Sequence, residues 1–217
     1  KINITESINT KNPFFKRPYI LFYARSGKWI YSTNLSIRNI SDENKRKIIA
    51  SIDPNYNVFL IGDTDKNLIE DFTNVYDIND LNEDNIELEY IYAKASCVIG
   101  SPSGATHFPS LLFNLPTLYI GNNEIKQIGP TYLYPKNIPY KDKYLILSND
   151  QLKNINEAKF AQFINNFIKN KSLPRIDKVT SYKYIANQNG VYKFIKKEFQ
   201  NILIHDDLKV KLFGISE

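Results

Sequence analysis

Residues 95–120 read Ala95-Ser-Cys-Val-Ile-Gly100-Ser-Pro-Ser-Gly104-Ala-Thr-His-Phe-Pro-Ser-Leu-Leu-Phe-Asn-Leu-Pro116-Thr-Leu-Tyr-Ile120. Cys97 to Ile99 is apolar on both faces, the mark of a strand with helices above and below it. A turn with glycines at 100 and 104 follows. Ala105 to Asn114 then has helical character, and Pro116 comes just after its end. Pro116 to Ile120 is a second wholly apolar strand. Strand, helix and strand in one short span form a unit whose two strands run parallel, joined by a right-handed crossover.

The same alternation runs upstream. Tyr19-Ile-Leu-Phe-Tyr23 is a continuous apolar run ending in the polar turn Ala24-Arg25-Ser26-Gly27-Lys28. Ser41-Asp42-Glu43-Asn44 supplies a cap and first-turn acids for a helix carrying Ile48, Ile49 and Ile52. Val58 to Ile61 is a second strand, ending at Gly62-Asp63. A short helix is expected at 67–72, a short strand at 75–78, and a helix from about 85 to 96. Strands alternating with helices over 18–121 predict an α/β, Rossmann-like parallel sheet with helices on both faces. Residues 1–17 are polar and read as a linker or the tail of a preceding segment. Residues 18–150 form the expected nucleotide-binding domain. Residues 151–217, with helical patterns at 149–169 and 190–203, read as a C-terminal helical extension packing on it.

Ligands of an open parallel sheet bind beyond the carboxyl ends of its strands. The turns to inspect are therefore Arg25 to Lys28, Gly62 to Thr64, Gly100 to Gly104 and Gly121 to Asn123. The Gly100–Gly104 turn lets backbone approach a ligand closely, offers the Ser101 and Ser103 hydroxyls, and opens a helix whose first N–H groups attract anions. It reads equally as an ordinary strand-to-helix turn with a Ser cap. Arg25, beside Ser26 and Lys28, is suited to bidentate phosphate pairing, or is a surface arginine. Arg38 and Asn39 either hold their loop or face the ligand. His107, in the first helical turn, either reaches a ligand or packs the helix. His205 lies in an acidic segment and reads as solvated.

The chain has 217 residues, 42% of them hydrophobic, a formal charge of +5 and a pI near 9.0. That charge permits a phosphate-rich partner without requiring one. Lys193 to Lys197 is a solvated helix face or a basic patch. One cysteine, Cys97, excludes an internal disulfide and suits a reducing, cytoplasmic setting. No apolar run is long enough to span a membrane. The absence of Met implies a processed product or an excerpt of something longer. There is no Walker lysine motif, no intact dinucleotide glycine fingerprint, no Cys/His metal cluster and no nucleophile elbow. Asp63-Thr-Asp65 matches a three-residue metal motif too short to be selective, so no metal is expected.

In this order, the motifs of residues 18–140 resemble the C-terminal, donor-binding half of GT-B glycosyltransferases, including a bacterial group known mainly from genomes. The resemblance is carried by Phe22-Tyr-Ala-Arg25-Ser-Gly27, Arg38-Asn39, Phe59-Leu-Ile-Gly-Asp63, the 95–116 block and Leu133-Tyr-Pro-Lys136. Ser103-Gly104 followed by His107 is similar to the phosphate-facing turn of heptosyltransferases, and the arginine turn to that of fucosyltransferases of this fold class. The resemblance implies sugar transfer from a nucleotide sugar to an acceptor hydroxyl, in surface glycan synthesis. It implies donor binding by Arg25, Ser26, Lys28, Ser101, Ser103, Gly104, Ala105, Thr106 and His107. Asp63 is the single carboxylate candidate for catalysis, and no cofactor or metal is implied. A glycan or glycolipid acceptor would be held by an N-terminal acceptor domain or a partner chain. No nucleic-acid partner is expected, and the basic helices suit peripheral contact at the inner face of a membrane. Other readings from the residues are a non-catalytic nucleotide-sugar-binding module, a structural interaction domain and a dinucleotide-dependent oxidoreductase.

Overall fold

Among the described residues, seven parallel strands form one sheet in the order β3-β2-β1-β4-β5-β6-β7, with β1 next to β4 at the reversal of strand order. The computed structural model describes residues 13–25, 39–80, 88–101, 103–120, 143–145, 149–171 and 202–203. Ser26, Lys28, Arg38, Pro102, the Gly121 turn, Leu133 to Lys136, Lys193 to Lys197 and His205 lie outside them. The strands are β1 (Tyr19–Tyr23), β2 (Asn57–Leu60), β3 (Val75–Asp77), β4 (Val98–Gly100), β5 (Thr117–Ile120), β6 (Lys143–Leu145) and β7 (Ile202–Leu203). The helices are α1 (Asp42–Ala50), α2 (Asn67–Asp71), α3 (Leu88–Lys94), α4 (Gly104–Phe113), α5 (Asn149–Lys153) and α6 (Glu157–Asn170). The chain is therefore α/β with a Rossmann-like parallel sheet.

The alternation of side chains along β1 divides the core. Ile20 and Phe22 join Ile48 and Ile49 of α1 and the apolar stripe of α6 on one face. Tyr19, Leu21 and Tyr23 join Ile91 and Tyr92 of α3 on the other, with Ala105 and Phe113 of α4 packed against them. Each fully buried Phe or Ile contributes about 1.5–3 kcal/mol. Both faces of β1 are consumed, which is why its sequence is apolar without interruption.

The C-terminal helices are part of this core. Phe160, Phe163, Ile164, Phe167 and Ile168 follow helical spacing along α6 and are all buried. Asn156 caps α6 by accepting the Lys159 N–H at 3.0 Å, and Lys171 ends it in the left-handed conformation. Asn165 accepts the Asp53 N–H at 2.8 Å and donates to the Ser51 carbonyl at 3.0 Å, fastening α6 to the end of α1.

Two sequence expectations change. Residues 13–17 are no mere linker: Pro13–Phe15 is a short 3-10 turn, Phe15 stacks edge-on against Tyr19 and Phe59, and Phe14 against Tyr76. The two aromatics cover sheet surface that the polar residues around them concealed in the sequence. The helical pattern expected to reach Leu203 also fails at its end. Ile202–Leu203 pairs in parallel with β6, because an apolar pair that includes the β-branched Ile202 suits a strand as readily as a helix face. Among the described residues, no helix is long and apolar enough to cross a membrane.

Cys97 is fully buried next to β4, and burial pushes its thiol up to about 12. Native protein is expected to leave Cys97 unreacted with an aromatic disulfide reagent at pH 8, and urea-unfolded protein to react fully. Labelling of the native chain at the rate of a free thiol would contradict this packing.

Candidate functional site

The reversal of strand order between β1 and β4 opens a crevice at the carboxyl edge of the sheet, since neighbouring crossovers leave there in opposite directions. Tyr23 of β1 is in register with Gly100 of β4, and the Ser101 N–H donates to the Tyr23 carbonyl at 2.8 Å. A Cβ at Gly100 would stand 1.9 Å from that carbonyl oxygen, so only glycine permits the approach. The Arg25 N–H reaches the Ser101 hydroxyl oxygen at 3.4 Å. This pairing places half-buried Arg25 beside the turn that leads into α4.

β2 is tied to the same point. The Thr64 hydroxyl accepts the Ala24 N–H at 3.2 Å and donates to the Ile61 carbonyl at 2.8 Å. The Tyr23 hydroxyl donates to Asp63 Oδ1 at 2.7 Å, although Tyr23 is buried and Asp63 exposed. Gly62 takes a positive φ of 68°, and a Cβ there would lie 2.8 Å from the Tyr23 ring and 3.2 Å from Ala105 Cβ. The ring thus sits where β1, β2 and α4 meet. Burial first, then the hydrogen bond and charge of Asp63, raise the Tyr23 phenol to about 12, against the opposing pull of Ser103 and Arg25.

The turn into α4 is closed by its own side chains. Ser103 Oγ accepts the Ala105 N–H at 3.1 Å, and Thr106 Oγ1 accepts the Ser103 N–H at 3.1 Å, a reciprocal capping box. The Thr106 hydroxyl also lies 2.9 Å from the Ser101 carbonyl. The His107 N–H donates to the Ser103 carbonyl at 2.9 Å. Gly104 is exposed, and its N–H makes no bond to a described residue. Nothing lies within 4 Å of where a Gly104 Cβ would be.

The fold therefore brings Arg25, Asp63, Ser103 and Gly104 to the carboxyl edge of the sheet around the β1–β4 reversal. Ala105 is half-buried behind them, its N–H held by the cap. Ser101 and Thr106 have no exposed surface and shape the turn. His107 is buried with its ring 5.1 Å from that of Tyr119, in edge-to-face contact, as in the helix-packing alternative. Among the described residues, no group of three or more His, Cys, Asp or Glu is placed to hold a metal ion, and Asp63 with Asp65 forms no such group. Sequence reading included Thr64 in a turn to inspect but gave neither it nor Tyr23 a role in the site. Tyr23 was absorbed into an apolar strand; its position as the last strand residue, one step before Ala24-Arg25, was the available signal.

No protein-family model matches the chain, and no curated protein matches it. Among solved structures, E. coli heptosyltransferase WaaC with ADP is similar at 18% identity and a TM-score of 0.45, over 72% of this chain and 45% of that one. The chain spans under half the length of that protein. A likeness so low carries no argument, and the architecture rests on the strand order itself.

Two glycines and a serine give sharp expectations for urea denaturation. Gly100→Ala is expected to cost about 3 kcal/mol or more, because backbone must move to admit the Cβ. Gly104→Ala, in open space at a helix start, should be neutral or stabilising by up to about 1 kcal/mol. Ser103→Ala should cost about 1 kcal/mol through the lost cap. Equal effects at the two glycines would mean that the β1–β4 approach is wrongly described.

Proposed function

We propose that the chain binds a nucleotide sugar in the β1–β4 crevice, as the donor-binding half of a GT-B glycosyltransferase. The observation that carries this reading is the convergence of Arg25, Asp63 and the start of α4 at the one place where a sheet of this order leaves room for a ligand. Their chemistry fits a diphosphate leaving group. The Arg25 guanidinium can pair two phosphate oxygens, and the Gly104 N–H and the positive end of α4 add fixed donors. Charge growing on the leaving phosphate is stabilised by such pre-set groups without a metal.

Asp63 is the carboxylate within reach of the crevice and is the candidate for accepting a hydroxyl proton. Ser101, Thr106 and His107 act behind the surface, holding the turn in shape. The acceptor, a surface polysaccharide or glycolipid, would be presented by an acceptor domain or partner chain in the cytoplasm or at the inner membrane face. That part of the reading rests on the resemblance of residues 18–140. The saturated Ser103 cap favours one competing reading: a structural module in which this turn binds nothing.

A thermal-shift panel of nucleotide sugars and free nucleoside diphosphates separates the two. A ligand at ~100 times its Kd stabilises by about 2.7 kcal/mol, several degrees for a domain of this size. One nucleotide class is expected to raise the melting temperature of the wild type and to leave Arg25→Ala unshifted. A panel without any shift would sink the donor-site reading and favour the structural one.

A further inference from the structure

We infer that Phe108 is the stacking platform for the base of the bound nucleotide; the inference rests on the donor-site reading. Helix α4 carries no Asp, Glu, Lys or Arg from Gly104 to Phe113. Gly104, Phe108 and Leu112 follow one another at intervals of four, so they share one face of the helix, and all three are exposed. Phe108 and Leu112, at 47% and 56% exposure, are the large exposed hydrophobics among the described residues. A surface helix ordinarily turns charged or polar residues to water. This one turns an apolar stripe, which begins at the open Gly104 beside the turn that Arg25 meets.

The size and place of the stripe select its occupant. Two half-exposed side chains together offer roughly 200 Å², far below the ~800 Å² that each partner gives a stable protein interface and of the scale of one aromatic ligand ring. Phe108 lies one turn beyond Gly104, about 6 Å along the helix axis. A ribose bridges a similar span between a phosphate and its base. The Phe108 ring is also held before any ligand arrives. Tyr92 meets it edge-to-face with centroids 5.9 Å apart, and Phe113 does so at 6.4 Å. Tyr92 is buried and Phe113 half-buried, so this support belongs to the core beneath α3 and α4. A ring fixed in this way loses little freedom when a base stacks on it. Stacking needs only a π-face, so Phe108 adds affinity for a nucleoside diphosphate over a bare diphosphate without reading which base it carries.

The test is calorimetry on the full chain with two probes: the nucleoside diphosphate of the class selected by the thermal-shift panel, and inorganic pyrophosphate, which has the charges and no base. Phe108→Leu keeps apolar bulk and removes the ring, whereas Phe108→Tyr keeps the ring. Phe108→Leu is expected to raise the Kd of the nucleoside diphosphate about tenfold, as loss of one base–aromatic stack does, and to leave that of pyrophosphate unchanged. Phe108→Tyr should bind both probes as the wild type does, and Arg25→Ala should lose both. Circular dichroism melts run alongside. A ring that serves only the α3–α4 packing would lower the Tm of Phe108→Leu while leaving the Kd of the folded protein unchanged. A nucleoside diphosphate Kd equal in wild type and Phe108→Leu overturns the inference and leaves the donor site standing. So does an equal loss for both probes, because the ring would then act on the turn and not on a base. Failure of every nucleotide and nucleotide sugar to bind the wild type overturns the donor-site reading, and this inference with it.

Discussion

The contact between Gly100 and the Tyr23 carbonyl is the constraint on which the rest depends. β1 and β4 are distant in sequence, and they meet at the reversal of strand order in the sheet. At Gly100 their backbones come so close that no side chain fits. The approach fixes the height at which Ser101 and Arg25 leave the sheet. It thereby fixes where α4 begins and where the arginine stands. A slip of one residue in β1 would send Tyr23 to the opposite face and break its side-chain bond to Asp63. The register is held from both sides, since the α1–α6 and α3–α4 faces each take alternate side chains of β1.

Around this contact the polar groups are nearly all consumed. Ser101, Ser103 and Thr106 are bonded within the α4 turn, Ser101 also accepts the Arg25 N–H, and Thr64 accepts the Ala24 N–H while donating to the Ile61 carbonyl. A closed network of this kind is stiff, because losing one member strands another in a poorly solvated place.

The fold was legible because its signal is spread over many residues. Unbroken apolar runs such as Tyr19–Tyr23, separated by capped helices, leave little besides a parallel sheet with helices on both faces. The turn at 100–104 was legible for the same reason, through two glycines between a strand and a helix. What escaped was set by tertiary contacts. Phe14 and Phe15 sit among polar residues, and their role appears only when Tyr19, Phe59 and Tyr76 are placed beneath them. Ile202–Leu203 has no local feature that distinguishes an edge strand from the end of a helix. Within the site, residue type suggested Arg25 and Ser103. It did not show that Thr106 points back into the turn, that His107 faces Tyr119, or that a strand tyrosine ends on Asp63.

Tyr23 keeps its proton well above neutral pH. With its phenol pushed up to about 12, it remains a donor throughout the neutral range. Burial, the largest cause of that shift, is supplied by the packing of β1 against α3 and α4, so the electrostatics of the site are a consequence of the core beneath it. Arginine stays charged under any such condition. The histidine that sequence alone placed at the turn lies packed against Tyr119. The geometry at this end of the sheet therefore traces back to how closely β1 and β4 can approach.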